Sequence, residues 1–242
     1  MSFNKRFSNG LTLLTNWSWS KAMDYISDGT DIQTMSGGSN APLSAYIRNP
    51  SNPLSYRGPA DWDTPQRFVE SFVYRLPDPG KRLGLGIVSA VARNWSLTGI
   101  LVLQSGRPFS VTTSADVLAG AGAAMGEQIG PLVLSGQSRG QQIAQYFNAA
   151  NVIAAATDTY GNMGRNSIRG PNFRNLDTSI YRQIDLPFRE SMKLTVRFEA
   201  FNVTNRVNLS NPSASVGGSN FDAITSTQSD PRILQFAVKF AF

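Results

Sequence analysis

The sequence contains no cysteine and no histidine. Without cysteine there are no disulfides, no thiolate metal sites and no thiol nucleophile. Without histidine the usual general base, the Ser-His-Asp triad and most zinc sites are gone. No enzymatic activity and no cofactor are expected. No run of about 18 apolar residues is present, so no transmembrane helix is expected. The opening stretch "MSFNKRFSNG" has no apolar core of a secretory signal. Net charge is +6, but the 22 Lys and Arg residues are scattered, with none of the clustering that phosphate backbones demand. Nucleic acid is therefore not an expected partner.

What the chain does have is period two. The last ten residues, "ILQFAVKFAF", put Leu234, Phe236, Val238, Phe240 and Phe242 on one face. Gln235, Ala237, Lys239 and Ala241 fall on the other. Alternation of this kind marks a strand with one apolar face. The same pattern recurs in "FNKRF", "LTLLTNWSWSK", "QRFVESFVYRLP", "NWSLTGILVLQSG", "NLDTSIYRQIDLP" and "MKLTVRFEAFNVTN". Seven strands are thus predicted. Ser8-Asn9-Gly10 reads as a hairpin turn, Pro77-Asp78-Pro79-Gly80 as a strand breaker, and Pro187 to Ser191 as a tight connection.

The connections alternate in length. Long polar segments run from about Asp24 to Pro65, Arg107 to Pro171 and Val207 to Asp230. In an antiparallel meander successive connections lie at opposite ends, so all the long loops gather at one end. Loops of roughly forty and sixty residues are unusual in a compact soluble domain. The arrangement suits an outer-membrane β-barrel, with long extracellular loops and short periplasmic turns. Strands of about ten residues are long enough to cross the apolar layer when tilted. Trp17, Trp19, Tyr74, Trp95, Phe240 and Phe242 sit near strand ends, where an aromatic girdle belongs. A soluble antiparallel sandwich shares the alternation. It does not account for Arg, Lys, Glu and Asp in mid-strand on the polar faces, which suit a watery lumen.

Six stretches, in order, carry a resemblance: "FNKRFSNGLTLLTNWSWSKAMD", "DWDTPQRFVESFVYRLP", "NWSLTGILVLQSGRPFSV", "GNMGRNSIRGPNFRNLDTSIYR", "VRFEAFNVTNRVN" and "SDPRILQFAVKFAF". Together they resemble the C-terminal part of TonB-dependent outer-membrane receptors, most closely the Oar-like subgroup common in acidobacteria. It is weakest at about 24–56 and 115–158. The resemblance implies an all-β, up-and-down transmembrane barrel of about 22 strands, plugged by an N-terminal domain. This chain would supply about seven of those strands over residues 1–242, as one portion without plug, TonB box or signal peptide. It implies location in the bacterial outer membrane and a part in substrate transport. The implied partners are outer-membrane lipid or lipopolysaccharide, the barrel-insertion machinery, the TonB complex through an N-terminal part, and a substrate that the residues do not name. An open sheet edge is not viable in lipid, so a fragment of a longer protein is expected, with a self-assembling oligomeric barrel as the alternative.

Candidate site residues follow. In such barrels the final strand resembles a signal read by the insertion machinery through strand addition. Phe236, Val238, Phe240 and Phe242 are the candidates, with plain lipid contact as the alternative role. Arg165, Arg169 and Arg174 flank re-entry into a strand. They are candidates for contacting an anionic substrate or a lipopolysaccharide phosphate at the rim. The alternative is lumen charge paired with Asp177 or Glu199. The glycine-rich "AGAGAAMG" reads as a flexible surface loop, and "SRGQQIAQYFNAANVIAAA" as holding a short helix. Asp61-Trp62-Asp63 reads as a loop-to-strand entry without catalytic role. Asn16-Trp17-Ser18, Asn94-Trp95-Ser96 and Asn202-Val203-Thr204 match the glycosylation pattern by chance, inside predicted strands. A surface binding or adhesion module and a soluble β-sandwich binding protein remain the alternative functions.

Overall fold

The computed structural model describes residues 1–7, 10–25, 27, 52–78, 80, 84, 86, 92–113, 124–186 and 192–242. The turn residues Ser8 and Asn9, Pro79 of the breaker, the connection Pro187 to Ser191 and most of 24–56 lie outside them. Seven strands form one antiparallel sheet in chain order: β1 (Ser2–Arg6), β2 (Leu11–Trp19), β3 (Gln66–Arg75), β4 (Trp95–Gln104), β5 (Phe173–Asp185), β6 (Lys193–Phe201) and β7 (Ile233–Ala241). Each strand pairs with its sequence neighbours, the meander that the alternating connections imply. β5 begins two residues before its predicted start. β6 stops at Phe201 because Asn202 and Asn205 turn the chain through left-handed backbone, φ 50° and 49°. Asn202-Val203-Thr204 is therefore a turn and not part of a strand, and Asn202 is buried.

Register keeps one apolar face continuous across the sheet. Residues paired across antiparallel strands share a face. Trp17 pairs with Phe68, Phe68 with Leu103 and Leu101 with Leu176. Ile180 pairs with Phe198, and Phe198 with Phe236, whose rings sit 4.9 Å apart. A slip of one residue in any strand would swap its two faces. The opposite face carries Asn16, Ser71, Thr98, Asp177, Tyr181, Arg197 and Glu199, with Leu14, Val69, Val73, Ile100 and Val102 as a smaller apolar patch on β2 to β4. Exceptions on the apolar face have partners or sit at its margins. Glu70 accepts a hydrogen bond from the Thr15 hydroxyl at 2.5 Å. Lys5 lies over the Phe7 ring near the short-turn end, and Arg182 pairs with Trp95 there.

The hydrophobic core is not in the sheet. Among the described residues every buried large apolar side chain belongs to a connection. Tyr56, Phe109, Val111, Met125, Phe147, Val152 and Met163 pack together, with Ala214, Val216 and Phe221 against them. All three long loops contribute, so they fold into one cap at a single end of the sheet. Two-residue ladders tie it: Pro108–Phe109 with Ile168–Arg169, Glu127–Gln128 with Val152–Ile153, and Thr112–Thr113 in parallel with Ser215–Val216. The Phe147 ring meets Phe221 edge-on at 5.3 Å and tilts against Phe109 at 6.2 Å. The predicted short helix is α1 (Arg139–Ala144), started by a capping box between Ser138 and Gln141. Residues 119–123 of the glycine-rich stretch lie outside the described residues, and only its end corrects the sequence reading. Its described residues Ala124, Met125 and Gly126 are buried core, not a flexible surface loop, because Gly126 lets Val111 and Val152 close over it.

Phe147→Ala is expected to cost the cap about 3–5 kcal/mol, the usual loss for emptying a core phenylalanine site. Protease cleavage within 124–172 then accelerates while the sheet keeps its heat-modifiable gel mobility. Equal cleavage rates in both proteins would contradict a cap with its own core.

Candidate functional site

Two arginines named from the sequence are held within the cap. Arg165 is almost fully buried, its side chain 2% exposed. It donates to the Asp24 carboxylate at 2.6 Å, to the Ser27 hydroxyl, to the Pro59 carbonyl at 3.3 Å and to Asp61 at 3.5 Å. Its guanidinium also lies over the Tyr56 ring. Arg169 donates to the Asp63 carboxylate, whose side chain is 0% exposed, and to the carbonyls of Asp63 and Gly106. Between them Asn166, in left-handed backbone, donates to Asp61 at 2.5 Å and to the Pro59 carbonyl at 2.7 Å. A buried arginine requires this density of acceptors.

The pairing partners differ from those expected. Asp177 accepts from the Asn202 backbone N–H and from Asn175, and Glu199 accepts from Arg197. Arg165 and Arg169 reach instead to Asp24, Asp61 and Asp63 in the first long loop. Asp61-Trp62-Asp63 is thus the acidic half of a latch, with Asp63 also accepting from the Ala22 N–H at 2.7 Å. Gly58 belongs to it for steric reasons. A β-carbon there would lie 2.3 Å from the Arg165 carbonyl oxygen, so only glycine lets the two loops approach.

Arg174 behaves differently. It is exposed, at the long-loop end of β5. Its backbone N–H is fixed by Asn208 Oδ1 at 2.9 Å, but no described partner engages its guanidinium. It borders a cleft of about 1040 Å³ between the second and third long loops, with Leu132, Tyr146, Phe147, Arg139 and Arg206 among the lining. The Tyr146 hydroxyl donates to the Arg169 carbonyl, and burial pushes its pKa above the ordinary tyrosine value. Burial also raises the carboxyl of Asp222, partly offset by hydrogen bonds from the Gln145 side chain and the Ala149 backbone. Among the described residues no cluster of three His, Cys, Asp or Glu side chains has the geometry to hold a metal ion.

The other set of named residues lies on β7, at one edge of the sheet. Phe236, Val238 and Phe240 project from the apolar face opposite Phe198, Val196 and Leu194. Phe242 follows, 89% exposed and stacked on Phe240 at 5.9 Å. Their strand runs toward the short-turn end, which Phe240 and Phe242 reach. Among the described residues the outer backbone edge of β7 is unpaired, as is that of β1.

A family model described as "Outer membrane beta barrel domain" matches residues 1–235. No curated protein and no solved structure shows significant similarity to the chain.

Arg165→Met should loosen the latch by about 3 kcal/mol, the low end for breaking a buried pair because Asp24 and Asp61 keep some water. Hydrogen exchange at the Ala22 and Asp61 amides would rise; unchanged exchange would mean that the pairing holds nothing. Phe242→Ser should lower the amount of protein assembled in the outer membrane severalfold without altering cap proteolysis. Undiminished assembly would leave lipid contact as the only role of that ring.

Proposed function

The chain belongs to the outer-membrane β-barrel domain family and is placed in the bacterial outer membrane; from that premise we propose that it is barrel wall of a TonB-dependent, Oar-like receptor that moves a substrate across that membrane. The observation that carries this reading is the pairing of a polar sheet face with a folded cap at the long-loop end. A polar face turned to a lumen gives a watery path, and an ordered cap gives that path a selective entrance. The six ordered stretches that resemble TonB-dependent receptors support the same reading. So do the two open edges. Every backbone group in hydrocarbon needs an internal partner, and further strands pairing with β1 and β7 would close a wide barrel. The sequence offers neither histidine nor cysteine as base or nucleophile, which supports the reading of a transporter.

The cap's own core equally favours a second reading, a surface module that binds or adheres without transport. An experiment separates the two without knowledge of the substrate. Antibodies against residues 124–186 recover the protein from outer membranes after cross-linking in living, energised cells. Transport predicts a polypeptide well above 26.3 kDa that carries plug peptides and cross-links to TonB. A recovered protein free of both would contradict transport and leave the surface module.

A further inference from the structure

The stretch 131–135 of the second long loop, Pro-Leu-Val-Leu-Ser, has the character of a strand but no partner strand. Exposure alternates along it. Leu132 and Leu134 are half-buried, while Pro131, Val133 and Ser135 are exposed, Val133 at 87%. That is the period of a strand with one side on a core, and Leu132 packs against the core of the cap. Both ends are held. The Asn148 N–H donates to the Leu132 carbonyl at 2.9 Å, and the Asn151 side chain to the Pro131 carbonyl at 2.8 Å. At the other end Ser138 caps α1. Between these anchors backbone groups are left over. Among the described residues no hydrogen bond engages the N–H or C=O of Val133 or Ser135. In a strand one residue's N–H and C=O point to one edge and the next residue's to the other. Leu132 turns its carbonyl to Asn148, so Val133 and Ser135 present the opposite, open edge.

This stretch borders the cleft of about 1040 Å³, and Val133 is part of its lining. An anchored edge with unmade backbone hydrogen bonds is a template for another extended chain. A sugar has no row of alternating amide donors and carbonyl acceptors to match it; a peptide does. Leu134, Tyr146 and Ile168 line the same cleft and offer an apolar floor to every second side chain of such a peptide. Electrostatics then choose among peptides. Arg139 and Arg206 line the cleft, and no Asp or Glu does. Arg139 spends a single donor, on the Val207 carbonyl at 2.6 Å. We propose that the cleft takes an extended acidic peptide, added as a strand along Val133 and Ser135, with apolar side chains on the floor and carboxylates toward Arg139 and Arg206. The main-chain bonds supply affinity for any extended peptide, and the guanidiniums favour carboxylates among them. The site is read from the cap alone; that the bound peptide is the transported cargo rests on the transporter reading above.

The test uses full-length protein extracted from outer membranes in detergent. The probes are acidic, neutral and basic pools of short synthetic peptides and a pool of neutral oligosaccharides. Retained molecules are counted by mass spectrometry, and the best-retained peptide is titrated. The acidic pool should be retained well above the basic one. Two copies of that peptide, N-methylated at one or the other alternate set of amides, should then separate. The set facing Val133 and Ser135 loses about tenfold or more in affinity, the scale of losing main-chain hydrogen bonds, and the set facing away keeps it. Val133→Pro, which removes one N–H donor, should weaken binding severalfold and more than Val133→Ala, which removes only side chain. Arg206→Gln should cut the preference for the acidic over the neutral pool severalfold. The methylated peptides carry the test if Val133→Pro disturbs the cap. No retention of any peptide pool would overturn the site, and retention of oligosaccharide in its place would overturn the substrate class. Equal affinities of the two methylated peptides would overturn strand addition. Equal retention of acidic and basic pools would overturn the part given to the arginines. The TonB cross-link is scored without added peptide, so the transporter reading stands or falls separately.

Discussion

A backbone amide in hydrocarbon has no water to bond, so a chain that crosses a membrane as strands must satisfy every amide against a neighbouring strand. The seven-stranded sheet follows from this constraint. Each strand pairs with the next, none is skipped, and the ladder is unbroken from Ser2 to Ala241 across its members. Once the ladder fixes register, side-chain alternation does the rest. Leu101, Leu176, Ile180, Phe198 and Phe236 fall on one side, and Thr98, Asp177, Ser179 and Arg197 on the other. One apolar face and one more polar face are the consequence of one register, not of many separate choices.

The same constraint explains where the core went. A sheet whose apolar face meets lipid has no need of an interior between layers. Burial away from water is needed only where the chain leaves the membrane. There Phe109, Met125, Phe147 and Val152 form the hydrophobic centre of the cap, and the Arg165–Asp24 and Arg169–Asp63 pairs clamp the first loop to the second.

The sheet was legible in the sequence because period two over nine or ten residues is a strong local signal. Strand ends were less so. β6 stops at Phe201 because Asn202 turns, and nothing in "EAFNVTN" separates a final strand residue from the first turn residue. The cap was not legible. Tyr56, Phe109, Phe147 and Phe221 share a core without any spacing rule, and Arg169 finds Asp63 across 106 residues. The spacings Asp61-x-Asp63 and Arg165-x3-Arg169 name no partner for either set, so the pairing between them was not legible. For the same reason Arg174 looked like its neighbours Arg165 and Arg169, although it occupies the opposite electrostatic situation.

The account rests on which face of the sheet meets lipid. Because the chain has no cysteine, single cysteines can be placed one at a time along β5 from Leu176 to Gln183 and probed in outer membranes. A charged aqueous thiol reagent and a lipid-dissolved quencher should give opposite period-two patterns. Positions 176, 178 and 180 should meet the quencher, and 177, 179, 181 and 183 the aqueous reagent. Equal aqueous labelling of both sets would contradict a membrane-spanning sheet, and an unlabelled set that the lipid-dissolved quencher fails to reach would contradict it too and point to a soluble sandwich.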